Sequence, residues 1–148
     1  MEEKRFSVQE MSERAGVPAP TLRYYEAQGL LPPVPRTAGG QRMYGQEHID
    51  RLNAIACFKA TGLSIARMQD FFAYERHLEE NIEEIIGLVE THEQDVERQM
   101  EELRQHLLHI HQKVLYYRAV RQAYERKEPL PDFNDFGPGG AKWSGMEE

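Results

Sequence analysis

The chain has 148 residues, of which 40% are hydrophobic and only one, Cys57, is a cysteine. This composition allows one domain of ordinary size or a small domain with an extension, and it excludes an internal disulfide framework, a zinc ribbon and a membrane helix of ~18 apolar residues. The formal net charge of −7 resides entirely in residues 76–148, because residues 1–75 carry nine acidic and nine basic side chains. A nucleic-acid partner for the first half is therefore compatible with the acidic total. Since the N-terminus has no apolar leader, we expect a cytoplasmic protein that does not enter a membrane.

Two short helices are predicted near the N-terminus. Ser7 and Glu10 have the spacing of a capping box at the start of the first helix, and Gly16 ends it. The second helix follows Val17, with prolines in its first turn, and ends at Gly29. Two short helices joined by a tight turn that contains glycine predict a helix-turn-helix.

The segment after the second helix is rich in proline and glycine, which disfavours a helix. Two brief strands are predicted at 35–37 and 42–44, on either side of a loop at 38–41. A hairpin directly after a helix-turn-helix is typical of a wing. Helix is predicted again over Gln46–Ala60, and Ser64 is expected to cap a fourth helix.

From Leu78 onward, apolar or near-apolar positions recur in steps of four and three. This spacing predicts a coiled-coil helix near ~70 Å long, with one stutter around Val96. Because no small domain covers such a helix, its stripe is expected to pack on a second copy. The remaining tail is rich in proline and glycine, and it is expected to be either flexible or docked through its aromatic residues. The stripe consists of Leu78, Ile82, Ile85, Val89, His92, Val96, Met100, Leu103, Leu107, Ile110, Val114, Tyr117, Arg121 and Tyr124.

Three short motifs carry a resemblance to a known family. Arg23-Tyr24-Tyr25-Glu26, Gly29-Leu30 and Arg42-x-Tyr44 occur at the spacing of the MerR family of bacterial transcription regulators, and the similarity extends over about 127 residues into the long helix. The resemblance implies a mainly α fold with a winged helix-turn-helix domain over 1–75. This domain would be followed by a coiled-coil dimerisation helix over 76–127 and a C-terminal tail over 128–148.

The same resemblance implies a DNA-binding regulator rather than an enzyme, and no catalytic signature or cofactor motif contradicts this. The expected partner is double-stranded DNA at a palindromic promoter operator, bound by a homodimer. Such a dimer would bend and untwist a promoter spacer that is too long, so that RNA polymerase can engage both promoter elements.

Four candidate DNA-binding residues lie on the second helix. If Leu22 and Tyr25 face the core, Arg23 and Tyr24 face outward. Arginine can bind guanine O6 and N7 through two hydrogen bonds, and a tyrosine hydroxyl can bind a phosphate. Thr21 and Tyr25 complete the set. The alternative is a solvated arginine beside partly buried tyrosines.

Four further candidates lie in the wing. Arg36, Gln41 and Arg42 bracket the loop, whose glycines allow the backbone to approach a phosphate. Tyr44 is expected to pack the wing on the body of the domain and also to donate a hydrogen bond. The alternative is a pair of arginines on a loop with no DNA contact.

Cys57 is the candidate sensor residue. The segment from Cys57 to Gly62 resembles the single-cysteine branch of the family, which responds to aldehydes and other electrophiles. Its position on the helix predicts partial exposure at the margin of the core face. No Lys or Arg lies three or four residues away to lower the pKa of the thiol, so a structural role as a small hydrophobic residue is the alternative.

Three further alternatives are open. His106 and His109 share one helix face and could ligate a metal, although polar decoration of the helix is favoured and no metal site is predicted. A family member of this size could instead sense a small molecule without covalent chemistry, in a pocket that includes the aromatic tail. The chain could also be a coiled-coil interaction module without DNA binding.

Overall fold

The computed structural model describes residues 4–145, which form two compact units, one up to His92 and one from Glu93 onward. Within these residues the fold is mainly helical, as predicted, and none of the described helices has the length and apolar character that a membrane crossing requires. The α-helices are α1 (Val8–Ala15), α2 (Ala19–Ala27), α3 (Gln46–Ala60), α4 (Ile65–Glu75) and α5 (Ile82–Arg126), and a 3-10 helix spans Phe133–Phe136.

The caps predicted for α1 are present. The Ser7 hydroxyl accepts a hydrogen bond from the Glu10 backbone N–H at 3.2 Å, and the Glu10 carboxylate accepts one from the Ser7 N–H. Hydrogen bonds to the Glu10 carboxylate from the backbone and the side chain of Ser7 lower the pKa of Glu10. At the other end, Gly16 adopts a φ of 65°, a left-handed conformation that favours glycine. The capping-box prediction is therefore confirmed.

The first unit has one hydrophobic core, to which α1, α2, α3 and α4 each contribute. Met11, Leu22, Ile55 and Phe72 are each less than 2% exposed in this core. The bounds predicted for α3 agree with the structure, and Ser64 caps α4 by accepting a hydrogen bond from the Arg67 N–H at 3.1 Å. The helix-turn-helix of α1 and α2 is therefore packed on α3 and α4.

The hairpin of the wing forms, but the two predicted strands do not. Within residues 4–145, the wing has one isolated antiparallel bridge, between Arg36 and Arg42. Pro35 accepts a hydrogen bond from the Met43 N–H at 2.8 Å, but it has no N–H to return one, so the ladder ends there. Tyr44 leaves the hairpin and pairs with Phe6 through two backbone hydrogen bonds of 2.7 Å.

His48 was not identified from the sequence, yet it connects the wing to the start of α3. Its ring is fully buried, and Nδ1 accepts a hydrogen bond from the Gly45 N–H at 2.9 Å. Because Nδ1 accepts, the proton lies on Nε2, which donates to the carbonyl oxygens of Pro32 and Pro33 at 3.3 and 3.2 Å. His48 therefore fixes the chain that enters the wing against the chain that leaves it.

The start of the long helix differs from the prediction. Leu78 lies in a turn before α5, so the stripe begins one position later, at Ile82. His92 does not interrupt an exposed stripe, because its Nε2 lies 2.7 Å from Thr61 Oγ1 and its ring packs against Phe58. Ile85 is also buried. The part of the predicted stripe that lies in the first turns of α5 therefore packs within the first unit.

The second unit retains an exposed apolar stripe along α5, on the positions predicted from the heptad. Their exposed fractions range from 39% to 69%. A groove of about 680 Å³ follows this stripe, with Glu101 and Arg104 along its border. Hydrogen bonds from Arg104 and Gln105 lower the pKa of Glu101 to about 2, so this border stays charged. The exposed stripe is Met100, Leu103, Leu107, Ile110, Val114, Tyr117 and Tyr124.

The C-terminal tail is docked on α5, which was one of the two alternatives left open by the sequence. The Phe133 ring contacts the Tyr116 ring edge-on at 5.2 Å, and Phe136 is 5% exposed. Gln112 donates a side-chain hydrogen bond to the Phe133 carbonyl oxygen at 3.0 Å. The Trp143 ring packs edge-on against His111 at 5.3 Å. Aromatic residues thus compensate for the ordering of a segment rich in proline and glycine.

Candidate nucleic-acid interface

The second helix of the helix-turn-helix presents its polar side to solvent. Leu22 is fully buried, whereas Arg23 is exposed and Tyr24 is 48% exposed. Thr21 is half-buried at the edge of the same surface. Because a helix of this width enters a DNA major groove, the exposed Arg23 guanidinium can reach the edge of a base.

Tyr25 does not share this exposed surface. It is 6% exposed, belongs to the hydrophobic core, and lies with its ring 6.0 Å from that of Tyr24. The helical period that turns Tyr24 outward turns Tyr25 inward, one hundred degrees further round the helix. The prediction that Tyr25 contacts DNA therefore disagrees with its position, and Tyr25 stabilises α2 instead.

Tyr44 is also buried, so the packing part of its prediction agrees with the structure and the DNA-contact part does not. Its ring is fully buried and meets the His48 ring edge-on at 5.5 Å. Its hydroxyl has no hydrogen-bond partner among residues 4–145. Burial raises the pKa of Tyr44, and the nearby charge of Glu26 raises it further.

The wing loop is organised by its own hydrogen bonds. Arg36 donates through Nη1 to the Gly40 carbonyl oxygen at 3.0 Å, and Gly40 adopts a φ of 84°. The Gln41 N–H donates to Thr37 Oγ1 at 3.2 Å, which leaves the exposed Gln41 side chain at the tip. The loop thus presents Arg36 and Gln41 from a defined turn.

Arg42 has a partner that the sequence did not reveal. Its Nε donates to Glu26 Oε2 at 2.7 Å, and both side chains are 26% exposed. Glu26 lies on α2, so this ion pair joins the wing to the recognition helix. Within residues 4–145, no hydrogen bond of the Arg42 terminal nitrogens is found, and these remain available as donors for a phosphate oxygen.

The positive charges of the arginines of α2 and of the wing act on the same buried side chain, Tyr44. The positive charges of Arg42, Arg23 and Arg36 all lower the pKa of the Tyr44 hydroxyl, although burial outweighs them. Arg36 and Arg42 pair across the hairpin, and Arg42 bonds Glu26, which follows Arg23 by three positions on α2, so the structure brings together three arginines that are up to 19 positions apart in the sequence. Such a cluster is suited to bind a polyanion, because each guanidinium that approaches a phosphate releases a condensed counterion.

Lys59 is a further candidate that the sequence analysis missed. It lies in the last turn of α3 and lines a groove of about 500 Å³ together with Thr21, Tyr24 and Ser64. The tertiary fold brings it beside Thr21 and Tyr24, which lie 38 and 35 positions earlier in the chain. Only the tertiary fold reveals this proximity, because nothing in the local sequence distinguishes Lys59 from a solvated lysine.

Cys57 is exposed on α3, in agreement with its predicted accessibility. Its carbonyl oxygen accepts a hydrogen bond from Thr61 Oγ1 at 2.7 Å, and the same hydroxyl lies 2.7 Å from His92 Nε2. The Thr61 hydroxyl therefore lies within hydrogen-bond distance of both the Cys57 carbonyl oxygen and His92 Nε2. The turn that follows Cys57 is therefore connected to α5 inside the first unit.

The histidines of the long helix do not form a metal site with their neighbours. His111 directs Nε2 to the Ser144 carbonyl oxygen at 2.9 Å. Across residues 4–145, no group of three or more His, Cys, Asp or Glu side chains is arranged to hold a metal ion.

Comparison with known proteins identifies the family. A model of the MerR HTH family regulatory protein matches residues 6–75. A ZntR homolog, an HTH-type transcriptional regulator of Haemophilus influenzae, is 31% identical over 108 residues, which cover 71% of this chain and 80% of the homolog. The mercuric resistance operon regulatory protein of Bacillus cereus is 29% identical over 131 residues, which cover 88% of this chain and 89% of that protein.

Solved structures agree with this identification. The crystal structure of HiNmlR, described as a MerR family regulator lacking the sensor domain and bound to promoter DNA, aligns with a TM-score of 0.74 and 28% identity. The alignment covers 84% of this chain and 97% of that one. A MerR family regulator from Listeria monocytogenes aligns with a TM-score of 0.75 and 27% identity, over 82% of this chain and 92% of that one.

Proposed function

Because the chain belongs to the MerR family of HTH regulatory proteins and is a DNA-binding transcription regulator, we propose that it binds a palindromic promoter operator as a homodimer. Arg23 reads a base in the major groove, and Tyr24 and Thr21 bind the adjacent backbone. Arg36, Gln41 and Arg42 bind phosphates from the wing. The observation that carries the proposal is the ion pair of Arg42 with Glu26, which joins the wing and its Arg36 to α2 and its exposed Arg23.

Lys59 extends the proposed interface. Its ammonium group shares a groove with Thr21 and Tyr24, so a DNA strand that follows α2 would bring a phosphate within its reach. Lysine acts as a point charge and carries no base information. Lys59 therefore contributes affinity and salt dependence to the complex, whereas discrimination between sequences depends on Arg23.

The exposed stripe of α5 supports the homodimer. Seven large apolar side chains in heptad register are exposed on one copy, and a second copy with the same stripe would cover them. Two recognition helices on a two-fold axis require a palindromic site, whose half-sites lie about one helical turn apart or a multiple of it. We further propose that the bound dimer bends and untwists the promoter spacer, so that RNA polymerase can engage it. This deformation costs of order several kcal/mol.

The salt dependence of operator binding tests the wing contact. The plot of log K against log salt has a negative slope, and we expect Arg42→Ala to reduce its magnitude by about 2 for the dimer. About one ion is released for each phosphate contact in each subunit. The measurement is a fluorescence anisotropy titration at several salt concentrations. Arg98→Ala, which removes an exposed arginine of α5, is the matched control.

The partner of Arg42 requires a second variant, because Arg42→Ala also leaves Glu26 uncompensated near the DNA. The double variant Glu26→Gln with Arg42→Ala removes this repulsion. If Arg42 contacts a phosphate, the double variant keeps the reduced slope. Recovery of the wild-type slope in the double variant would mean that Arg42 only neutralises Glu26, and the wing contact would be withdrawn.

We also propose that Cys57 senses electrophiles. Its exposed thiol, as the thiolate, would attack the β-carbon of an α,β-unsaturated aldehyde, forming a C–S bond while the α-carbon takes a proton from water. The adduct would stand beside the turn that Thr61 connects to His92 of α5. This contact gives the modification a physical route to the helix that carries the dimer.

A promoter reporter tests the thiol. We expect an α,β-unsaturated aldehyde to change transcription in the wild type and to have no effect in Cys57→Ser, because the serine hydroxyl is a far weaker nucleophile at neutral pH. Ala56→Ser, on the neighbouring exposed position, is the control and should keep the full response. A full response in Cys57→Ser would restrict Cys57 to a packing role and favour a sensor that binds its ligand without covalent chemistry.

A further inference from the structure

The C-terminal half of α5 carries apolar side chains on two sides. One side is the exposed stripe. The side chains of the other are half-buried or buried, and the docked tail contacts this side at Gln112 and Tyr116. At ~100° per residue, the two sets are centred on roughly opposite sides of the helix. The tail-covered stripe consists of Leu108, Gln112, Leu115, Tyr116, Ala119 and Ala123.

The tail-covered stripe has the spacing of a second coiled-coil seam. Its positions 108, 112, 115, 119 and 123 follow steps of four, three, four and four. Leu108, Leu115 and Ala119 are apolar, and Ala123 is only 5% exposed. If the tail did not cover it, this side would present apolar surface in a register that a helix of another copy matches. A helix with seams on opposite sides joins more than one partner.

The tail covers this stripe through specific contacts. The Phe133 and Phe136 rings pack edge-on against Tyr116, at centroid distances of 5.2 and 5.9 Å. The Lys113 ammonium lies 5.4 Å from the centre of the Phe133 ring, a cation–π distance. Since Gln112 also donates to the Phe133 carbonyl oxygen, the polar position of the stripe is satisfied by the tail itself.

One glycine of the tail lies against α5, and a second allows the tight turn within the tail itself. Gly137 is buried, and a Cβ at this position would lie 2.8 Å from Gln112 Nε2, in conflict with the hydrogen bond to Phe133. A Cβ on Gly140 would collide with the backbone carbonyl oxygen of Asp135. The tail is therefore shaped to close on α5, which a loosely associated terminus would not require.

We propose that the docked tail occupies the second seam of α5 and thereby limits assembly to two copies. The surface under the tail fits a second copy of this same helix, because its positions 108, 112, 115, 119 and 123 recur at the spacing of a separate coiled-coil seam. The inference rests on the proposed dimer. It adds that the tail excludes tetramers and larger assemblies, in which both sides of α5 would be buried.

The test removes the ring contacts from the full-length chain. In Phe133→Ser with Phe136→Ser, we expect light scattering to give about four times 17.2 kDa or more, against about twice 17.2 kDa in the wild type. Trp143, the only tryptophan, reports undocking through a red shift of its emission, because its ring leaves His111. Gly140→Val opens the tail by a different route and should give the same mass, whereas Ala141→Ser at an exposed position should leave the mass and the emission unchanged.

Each remaining outcome contradicts the proposal. A red-shifted emission with the mass still at two copies would mean that the uncovered side does not associate. An unchanged emission in both tail variants would mean that these contacts do not hold the tail. To separate this inference from the dimer itself, the tail variant is combined with Leu107→Glu and Ile110→Glu in the exposed stripe. We expect the stripe variant alone to be a monomer and the combined variant to associate through the tail-covered stripe, and a monomeric combined variant would overturn the inference while leaving the dimer intact.

Discussion

Arg23→Ala is expected to lower strongly the preference for the operator over unrelated duplex DNA. A good bidentate contact between arginine and guanine contributes about 1–3 kcal/mol of discrimination, and a dimer contains two. Operator affinity should therefore fall about 30-fold or more. Binding to random DNA should change far less, because it depends mainly on the wing and on Lys59.

The measurement compares operator and random duplexes at one salt concentration. Arg98→Ala removes another exposed arginine, from α5, and it should retain the full ratio of the two affinities. Circular dichroism should be unchanged in Arg23→Ala, since Arg23 is exposed and the core residue Leu22 beside it is retained. Equal losses on both duplexes would show that Arg23 binds a phosphate rather than a base.

Leu107→Glu combined with Ile110→Glu is expected to convert the dimer into a monomer. Burial of a large apolar side chain stabilises an interface by about 1.5–3 kcal/mol, and the two-fold axis doubles each substitution. The loss is therefore of order 6 kcal/mol or more, or about four powers of ten in the dissociation constant, before the cost of burying carboxylates. Light scattering at micromolar concentration should report one copy.

The matched control adds the same charge elsewhere on the helix. Gln94→Glu with Gln122→Glu substitutes exposed polar positions and should remain dimeric. The monomeric variant should also lose operator affinity by several powers of ten, because a single winged domain binds only one half-site. A dimer that persists in the Leu107 and Ile110 variant would remove the exposed stripe from the interface.

Local signals in the sequence account for much of the fold. Ser7, Glu10 and Gly16 specify the ends of α1 through hydrogen bonds and backbone conformation within a few residues, and Ser64 does the same for α4. The outward position of Arg23 follows from the helical period once Leu22 is assigned to the core. These predictions depend only on interactions between residues that are close in sequence, and the structure agrees with them.

The features that the sequence did not reveal depend on contacts between distant segments. Glu26 pairs with Arg42 across 16 positions, and His48 joins Gly45 to a segment 15 or 16 positions away. The spacing of His92 fits the heptad. However, its contact with the Thr61 hydroxyl, 31 positions earlier, places His92 in the first unit. The burial of Tyr44 has the same origin, because the pairing of its backbone with Phe6 carries its side chain into the core.

The ion pair between Glu26 and Arg42 lowers the entropy cost of recognition. A free arginine side chain loses about 2 kcal/mol of conformational entropy when it is immobilised. Here a carboxylate on α2 already restricts the guanidinium stem, so that this loss occurs when the domain folds and not when a duplex arrives. The hydrogen-bond donors of the wing are therefore already oriented before DNA binds. The rotamer of Arg42 should differ little between the free and the DNA-bound protein.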